Sequence, residues 1–222
     1  MPQNMNDKVI IKQWGLQRSG TNLTKWLLKN NFKDIDIYEN KMSWKHSVPS
    51  NIEEFKKYAK PFDRQPNFHI VTVRDPYSWF YSFTKYCDRK PPTLPSNFPI
   101  YSSNPNNTQT IMNLWDKYIC EYIDFVDEHD NSYLVNYKEL VLNPQTTLLK
   151  IQDKFSLRKK QGLEEFKVSE KGVDPHMKGV TIDVSFFLSE KYLEKIAVEE
   201  QEIITNTISE KAKSIFYETA MH

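Results

Sequence analysis

Short apolar runs alternate with amphipathic segments along the N-terminal part of the chain. Val9–Trp14, Ile35–Tyr38 and Phe68–Val73 are rich in β-branched and aromatic residues, which predicts strands. Apolar positions at helical spacing follow the first run over Thr21–Asn30, and a second helix is predicted from Pro76 to about Tyr86. Strands that alternate with helices in this way predict an α/β fold, a parallel sheet with helices on both faces.

The pattern continues after one interruption. A predicted helix, Ile52–Lys60, precedes the third strand, and a helix over Thr108–His129 precedes a fourth strand at Tyr133–Asn136. Residues 91–107 are rich in proline and have no periodicity, which predicts a long surface loop. Long loops in compact domains are usually functional or disordered, so this loop is a candidate lid over an acceptor substrate. Further helices are predicted up to Phe155.

Composition limits the class of protein. A chain of 222 residues with 39% hydrophobic residues can bury one sizeable core, which predicts a single domain over residues 1–222 with a charged helical tail at 189–222. Thirty basic and 29 acidic residues give a net charge of +1, so no global field favours nucleic acid. Cys87 and Cys120 lack metal-ligand spacing and are predicted to be buried thiols. The polar N-terminus and the lack of a long apolar run predict a cytoplasmic protein without a membrane span.

The segment Gly15-Leu-Gln-Arg-Ser-Gly-Thr21 connects the first strand to the first helix. A loop of this kind directs backbone N–H groups and a helix N-terminus at an anion. It lacks the Lys-Ser/Thr pair that binds phosphates and Mg²⁺ in nucleotide hydrolases, and its positive charge is Arg18, inside the loop. The segment therefore predicts a phosphate site in which no metal is expected.

The segments after the other strands carry polar residues as well. Lys45 and His46 follow the second strand, Arg74 follows the third with Ser82 eight residues later, and Tyr137 follows the fourth. Because ligands of such sheets bind at the carboxyl ends of the strands, these side chains are predicted to share one pocket. Their charge suits a doubly anionic nucleotide.

These motifs resemble those of the sulfotransferases that use 3′-phosphoadenosine 5′-phosphosulfate (PAPS), in order and from Val9 to about Leu188. The resemblance implies a sulfotransferase fold, related to that of the P-loop nucleotide hydrolases, and transfer of a sulfuryl group to a small-molecule or carbohydrate acceptor. It implies that one loop holds the 5′-phosphosulfate, through Arg18, Ser19, Gly20, Thr21 and Asn22. It further implies that Arg74 and Ser82 bind the 3′-phosphate, that His46 is the general base, and that Lys45 contacts the sulfonate. Tyr137 would line the nucleotide site, and Lys171-Gly172 would close over the 3′-phosphate.

The chain departs from the family's motifs at several positions. Glu170 stands where the closing loop has arginine, and His176-Met177 replace an Asp-Trp pair. Leu23 stands where cytosolic members have a tryptophan that stacks on adenine, a role open to Trp26 if the helix presents it. Arg18 in place of lysine resembles the carbohydrate sulfotransferases.

Simpler interpretations of the same residues stay open. His46 could be a solvated or capping loop residue, and Arg74-Asp75 a plain ion pair with Asp75 capping the next helix. Two other functions also remain: a P-loop kinase or other nucleotide-binding protein, and a non-catalytic binding protein that retains the fold.

Overall fold

The computed structural model describes residues 8–51, 64–89, 107–161 and 184–217. The predicted helix Ile52–Lys60, residues 91–106 of the predicted loop and the Lys171-Gly172 segment lie outside these ranges. The described strands are β1 (Val9–Trp14), β2 (Ile35–Tyr38), β3 (Phe68–Val73) and β4 (Ser132–Asn136). The first three match the prediction residue for residue, and β4 begins one residue earlier than predicted.

The described helices also follow the predicted order. They are α1 (Thr21–Asn31), α2 (Pro76–Arg89), α3 (Thr108–Glu128), α4 (Tyr137–Leu142), α5 (Pro144–Phe155), α6 (Val184–Leu188), α7 (Val198–Thr207) and α8 (Glu210–Tyr217). Helices α7 and α8 lie in the described part of the C-terminal tail. None of the described helices is long and apolar enough to cross a membrane.

The four strands form one parallel sheet in the order β2-β1-β3-β4. The chain moves from β1 to β2 in one direction and then returns to place β3 on the other side of β1. The order therefore reverses between β1 and β3, and in open α/β sheets the crevice at such a reversal is where ligands bind. The predicted phosphate loop, residues 15–21, follows β1, and Arg74 follows β3.

Two hydrophobic cores lie on opposite faces of the sheet. One contains Trp14 and Val71 together with residues of α2, α3, α7 and α8. The other contains Ile11 and Ile70 together with residues of α1, α4, α5 and α6. Neighbouring strand residues point to opposite faces, so each buried strand supplies both cores. The predicted three-layer α/β architecture is confirmed.

Two expectations about individual residues are wrong. Cys87 and Cys120 are half-buried rather than buried, because each lies at the margin of the core between α2, α3 and α8. Trp26 is not presented to a ligand: it is packed in the core of the α1 face, at 7% exposure.

Candidate functional site

The loop between β1 and α1 is held in shape by its own backbone and by α2. Ser19 donates two hydrogen bonds to the Leu16 carbonyl, from its amide at 3.1 Å and from its hydroxyl at 2.7 Å. The buried indole of Trp79 donates to the Gln17 carbonyl at 2.7 Å. Arg18 adopts a positive φ of 68°, the left-handed conformation that residues other than glycine seldom adopt. The loop is therefore held by Trp79 of α2, and both polar groups of Ser19 bind within the loop itself.

Gly20 sits where only glycine fits. Its φ is 102°, and a Cβ at this position would lie 2.1 Å from the Tyr137 ring. The ring of Tyr137, the first residue of α4, thus closes against the start of α1. This contact brings the end of β4 to the phosphate loop, as predicted from the strand order.

Arg18 and Arg74 meet at the reversal of the sheet. The Arg18 Nε donates to the Ser82 Oγ at 3.2 Å, and the Arg74 Nη1 donates to the Arg18 carbonyl at 3.2 Å. Neither guanidinium forms an ion pair with a carboxylate of the described residues. The alternative of an Arg74–Asp75 ion pair is therefore wrong. The Asp75 carboxylate raises the pKa of Arg74 without contacting it directly, so a bound anion would still stabilise the two positive charges.

Arg74 is oriented by Ser78, a residue that the sequence analysis did not single out. The Arg74 Nε donates to the Ser78 Oγ at 2.9 Å, and the same hydroxyl donates to the Asp75 carboxylate. Asp75 also accepts from the Ser78 amide at 2.9 Å and so caps α2, as one alternative expected. Burial lowers the pKa of Arg74, and the neighbouring Arg18 charge acts in the same direction, but a guanidinium stays charged.

Aromatic rings surround both guanidiniums. The Arg74 guanidinium lies 4.6 Å from the centroid of the Tyr137 ring and 5.4 Å from that of Phe187. Arg18 lies 5.2 Å from the centroid of Tyr86. Such faces stabilise cations without neutralising them, so the net positive charge of the site is retained.

His46 is buried at the start of the phosphate loop, so the interpretation of a solvated residue is wrong. Its Nδ1 donates to the Gly15 carbonyl at 2.7 Å, and the Gly15 amide donates to the Lys45 carbonyl at 2.9 Å. Since a carbonyl only accepts, the proton sits on Nδ1 and the lone pair on Nε2. Burial, with the charge of Lys45, lowers the pKa of His46 to about 3. The imidazole is therefore neutral.

Lys45 reaches the N-terminus of α1. Its Nζ donates to the Asn22 Oδ1 at 3.0 Å and forms an ion pair with Glu39, which also binds Lys25 of α1 at 2.9 Å. Beneath them the ammonium of Lys12, a buried residue of β1, donates to the carbonyls of Glu39 at 2.8 Å and Ser43 at 2.7 Å. The sequence analysis missed this network because Glu39 and Lys12 belong to no motif.

The structure therefore brings most of the predicted site residues to one edge of the sheet. These are Arg18, Ser19, Gly20, Thr21, Asn22, Lys45, His46, Arg74, Ser82 and Tyr137. Among the described residues, no group of three or more His, Cys, Asp or Glu side chains could hold a metal ion. The predicted Lys171-Gly172 contribution lies outside the described residues.

The comparisons with known proteins agree with this fold. No protein-family model and no curated protein matches the chain by sequence. Among solved structures it is similar to mouse sulfotransferase SULT7A1 complexed with PAP, at a TM-score of 0.56 and 14% identity over 97% of this chain and 86% of that one. It is also similar to the sulfotransferase domain of the Synechococcus PCC 7002 olefin synthase, at a TM-score of 0.51 and 15% identity over 97% of both chains. The chain thus has the sulfotransferase fold expected from its motifs.

Proposed function

We propose that the protein is a sulfotransferase that moves the sulfuryl group of PAPS to an acceptor hydroxyl or amine. The observation that carries the proposal is the pair of arginines at the reversal of the sheet, Arg18 and Arg74. The Arg74 guanidinium contacts the main chain of Arg18, and neither guanidinium pairs directly with a carboxylate of the described residues. Such a pair suits a ligand with two separate anionic groups. The sulfotransferase fold, and the PAP bound to the mouse relative, support this donor.

The two anionic groups of the donor, the 5′-phosphosulfate and the 3′-phosphate, would bind at two separate sub-sites. The loop and the N-terminus of α1, including Thr21 and Asn22, would hold the 5′-phosphosulfate through backbone N–H groups. Arg74, oriented by Ser78, would hold the 3′-phosphate, with Ser82 nearby on α2. Tyr137 would line the nucleotide site, and Lys171-Gly172 would close it. A Cβ at Gly20 would overlap the Tyr137 ring, which explains why this loop carries glycine there.

Charge stabilisation is the main task of the site. The donor supplies an activated sulfuryl group on a phosphate leaving group, and transfer of this kind needs in-line positioning more than covalent participation by the protein. Arg18 would neutralise the charge that develops on the leaving oxygen, and Lys45 would contact the sulfonate. Both are held by neighbours before any ligand arrives, Arg18 by Ser82 and Lys45 by Asn22.

His46 would accept the proton of the acceptor at Nε2, because Nδ1 is committed to the Gly15 carbonyl. Its low pKa guarantees the neutral form but makes it a weak base in the free protein. An anionic donor bound beside it would raise that pKa. The base is thus expected to strengthen when the donor binds.

The class of acceptor is a separate proposal, and residues 91–107 remain the proposed lid over it. Arg18, which resembles the loop arginine of carbohydrate sulfotransferases, makes carbohydrates the first class of acceptors to screen.

A thermal-shift measurement without Mg²⁺ tests the proposal. The product nucleotide, 3′-phosphoadenosine 5′-phosphate, is compared with ATP at equal concentration. At about 100 times its dissociation constant, a ligand of the folded state stabilises it by about 2.7 kcal/mol, or about 5 to 10 °C for a chain of this size. We expect this shift with the 3′-phosphorylated nucleotide and a much smaller one with ATP.

Transfer of labelled sulfuryl from PAPS to a panel of sugars, phenols and amines then tests the activity. A shift with ATP that requires Mg²⁺, and none with the 3′-phosphorylated nucleotide, would support the kinase alternative instead. A nucleotide shift without transfer to any acceptor would support the non-catalytic alternative.

A further inference from the structure

Glu39, the residue after β2, binds two lysines from two different segments. Its Oε2 accepts from Lys25 on α1 at 2.9 Å, and its Oε1 accepts from Lys45 in the segment that carries His46. The carboxylate thereby connects the helix after the phosphate loop to the segment after β2. In the described residues it is the carboxylate that contacts Lys45.

The main chain of Glu39 is also held by Lys12 of β1. The buried Lys12 ammonium donates to the Glu39 carbonyl at 2.8 Å and lies 4.4 Å from the centroid of the Trp14 ring. Burial lowers the pKa of Lys12 to about 7, with the charge of Glu39 acting against it. Its two carbonyl contacts join β1 to both Glu39 and Ser43, so the segment before Lys45 is attached to the centre of the sheet.

The Glu39 contacts differ from those of an ordinary surface ion pair. The side chains of Lys45, Lys25 and Glu39 are only 13%, 19% and 27% exposed. Burial raises the pKa of Glu39, but the hydrogen bonds from both lysines outweigh it and bring the pKa to about 2. Glu39 is therefore charged at every pH at which the protein is expected to work. Asp36 of β2, in contrast, pairs with Lys41 at 3.9 Å, and the side chains of this pair are more exposed, at 44% and 35%.

We propose that Glu39 is a positioning residue for sulfuryl transfer, which holds the Lys45 ammonium against Asn22 at the N-terminus of α1. This rests on the proposed function. One lysine Nζ has three N–H donors, and Glu39 and Asn22 use two of them, which fixes the direction of the third. An ammonium on a flexible stem needs such fixing to stabilise charge at one defined point.

The decisive variant is Glu39→Gln, which keeps the side-chain volume and removes the charge. Asp36→Asn is the matched control, since it removes a nearby carboxylate of β2 that is also paired with a lysine. We expect Glu39→Gln to lower kcat about tenfold, the effect of one charge-assisted hydrogen bond, with the dissociation constant of 3′-phosphoadenosine 5′-phosphate changed by less than about threefold. Asp36→Asn should leave both quantities unchanged.

A double-mutant cycle separates positioning from a merely structural role. In a Lys45→Met background there is no ammonium to position, so Glu39→Gln should have no further effect on kcat. An equal loss of kcat in both backgrounds would overturn the proposal, because Glu39 would then act independently of Lys45. Melting temperatures of all variants identify any loss that comes from unfolding.

Amine labelling tests the same contact without activity. Reductive methylation followed by mass spectrometry compares the labelling rate of Lys45 with that of Lys41 in each protein. We expect Glu39→Gln to raise the relative rate for Lys45 about tenfold, by releasing the ammonium, and Asp36→Asn not to raise it. An unchanged rate would show that Glu39 does not hold Lys45. If the wild type transfers no sulfuryl group yet shows this labelling pattern, the proposed function fails while the contact stands.

Discussion

Replacement of Arg74 by methionine should remove the preference for a 3′-phosphate. Methionine fills a similar apolar volume in this buried position but has no charge and no N–H group. The side chain loses its bonds to Ser78 and to the Arg18 carbonyl, so some loss of stability is expected as well. The informative quantity is therefore the difference between two ligands that bind the same folded variant.

The expected size follows from the donors of Arg74. The guanidinium has five N–H groups, and the described contacts use the Nε and one N–H of Nη1. The remaining N–H groups can bind phosphate oxygens. A hydrogen bond to a charged group contributes about 1.5 to 3 kcal/mol, so two of them give at least about 3 kcal/mol, or roughly a hundredfold in affinity.

Isothermal titration calorimetry with 3′-phosphoadenosine 5′-phosphate and with adenosine 5′-phosphate measures this difference. We expect Arg74→Met to weaken the first ligand roughly a hundredfold and the second by less than about threefold. Arg158→Met is the control, because Arg158 is a half-exposed arginine that pairs with Asp34. Equal losses for both ligands would refute the assignment of Arg74 to the 3′-phosphate.

Three further predictions concern Gly20 and His46. Gly20→Ala should destabilise the fold by about 2 to 6 kcal/mol, through a strained backbone and the displaced Tyr137 ring, as measured by urea unfolding. In ¹⁵N NMR spectra, His46 should stay neutral from pH 8 down to 5, with its one proton on Nδ1. A pKa lowered to about 3 means that Nε2 takes up no second proton in this range. His46→Ala should lower kcat about 10²- to 10⁴-fold with little change in nucleotide affinity.

A control variant tests the Gly20 prediction, and a defined result would contradict each of the two His46 predictions. In a Tyr137→Ala background Gly20→Ala should cost only the backbone strain, about 1 to 3 kcal/mol, and an undiminished cost would mean that the ring is not the obstacle. A midpoint near pH 6.5 for His46 would contradict its burial. Turnover like that of the wild type in His46→Ala would remove His46 from the mechanism.

The sequence predicted the parts of this site that depend on which residues follow each strand. Strands such as Phe68–Val73 are short runs rich in β-branched and aromatic residues. A parallel sheet brings the residues that follow its strands to one edge. Arg18, His46, Arg74 and Tyr137 could therefore be assigned to one pocket before any contact was known.

Contacts between segments distant in the chain were not predictable in the same way. Glu39 and Lys12 belong to no motif, and their roles arise because β2 lies beside β1. The pKa of His46 depends on how completely the surrounding segments cover it, which composition does not show. Ser78 carried a weak signal, since Asp75-x-x-Ser78 is the spacing of a helix N-cap and the residue that it binds.

The two backbone hydrogen bonds of Gly15 limit how the acceptor specificity of this protein could be altered. Its amide binds the Lys45 carbonyl and its carbonyl binds His46, so the proposed donor loop and the proposed proton acceptor are joined through one residue. A graft that exchanges the segment after β2 would disturb both at once. New acceptor specificity should therefore arise by exchange of segments that do not contact Gly15, and libraries for redirecting the proposed activity should leave residues 44–47 constant.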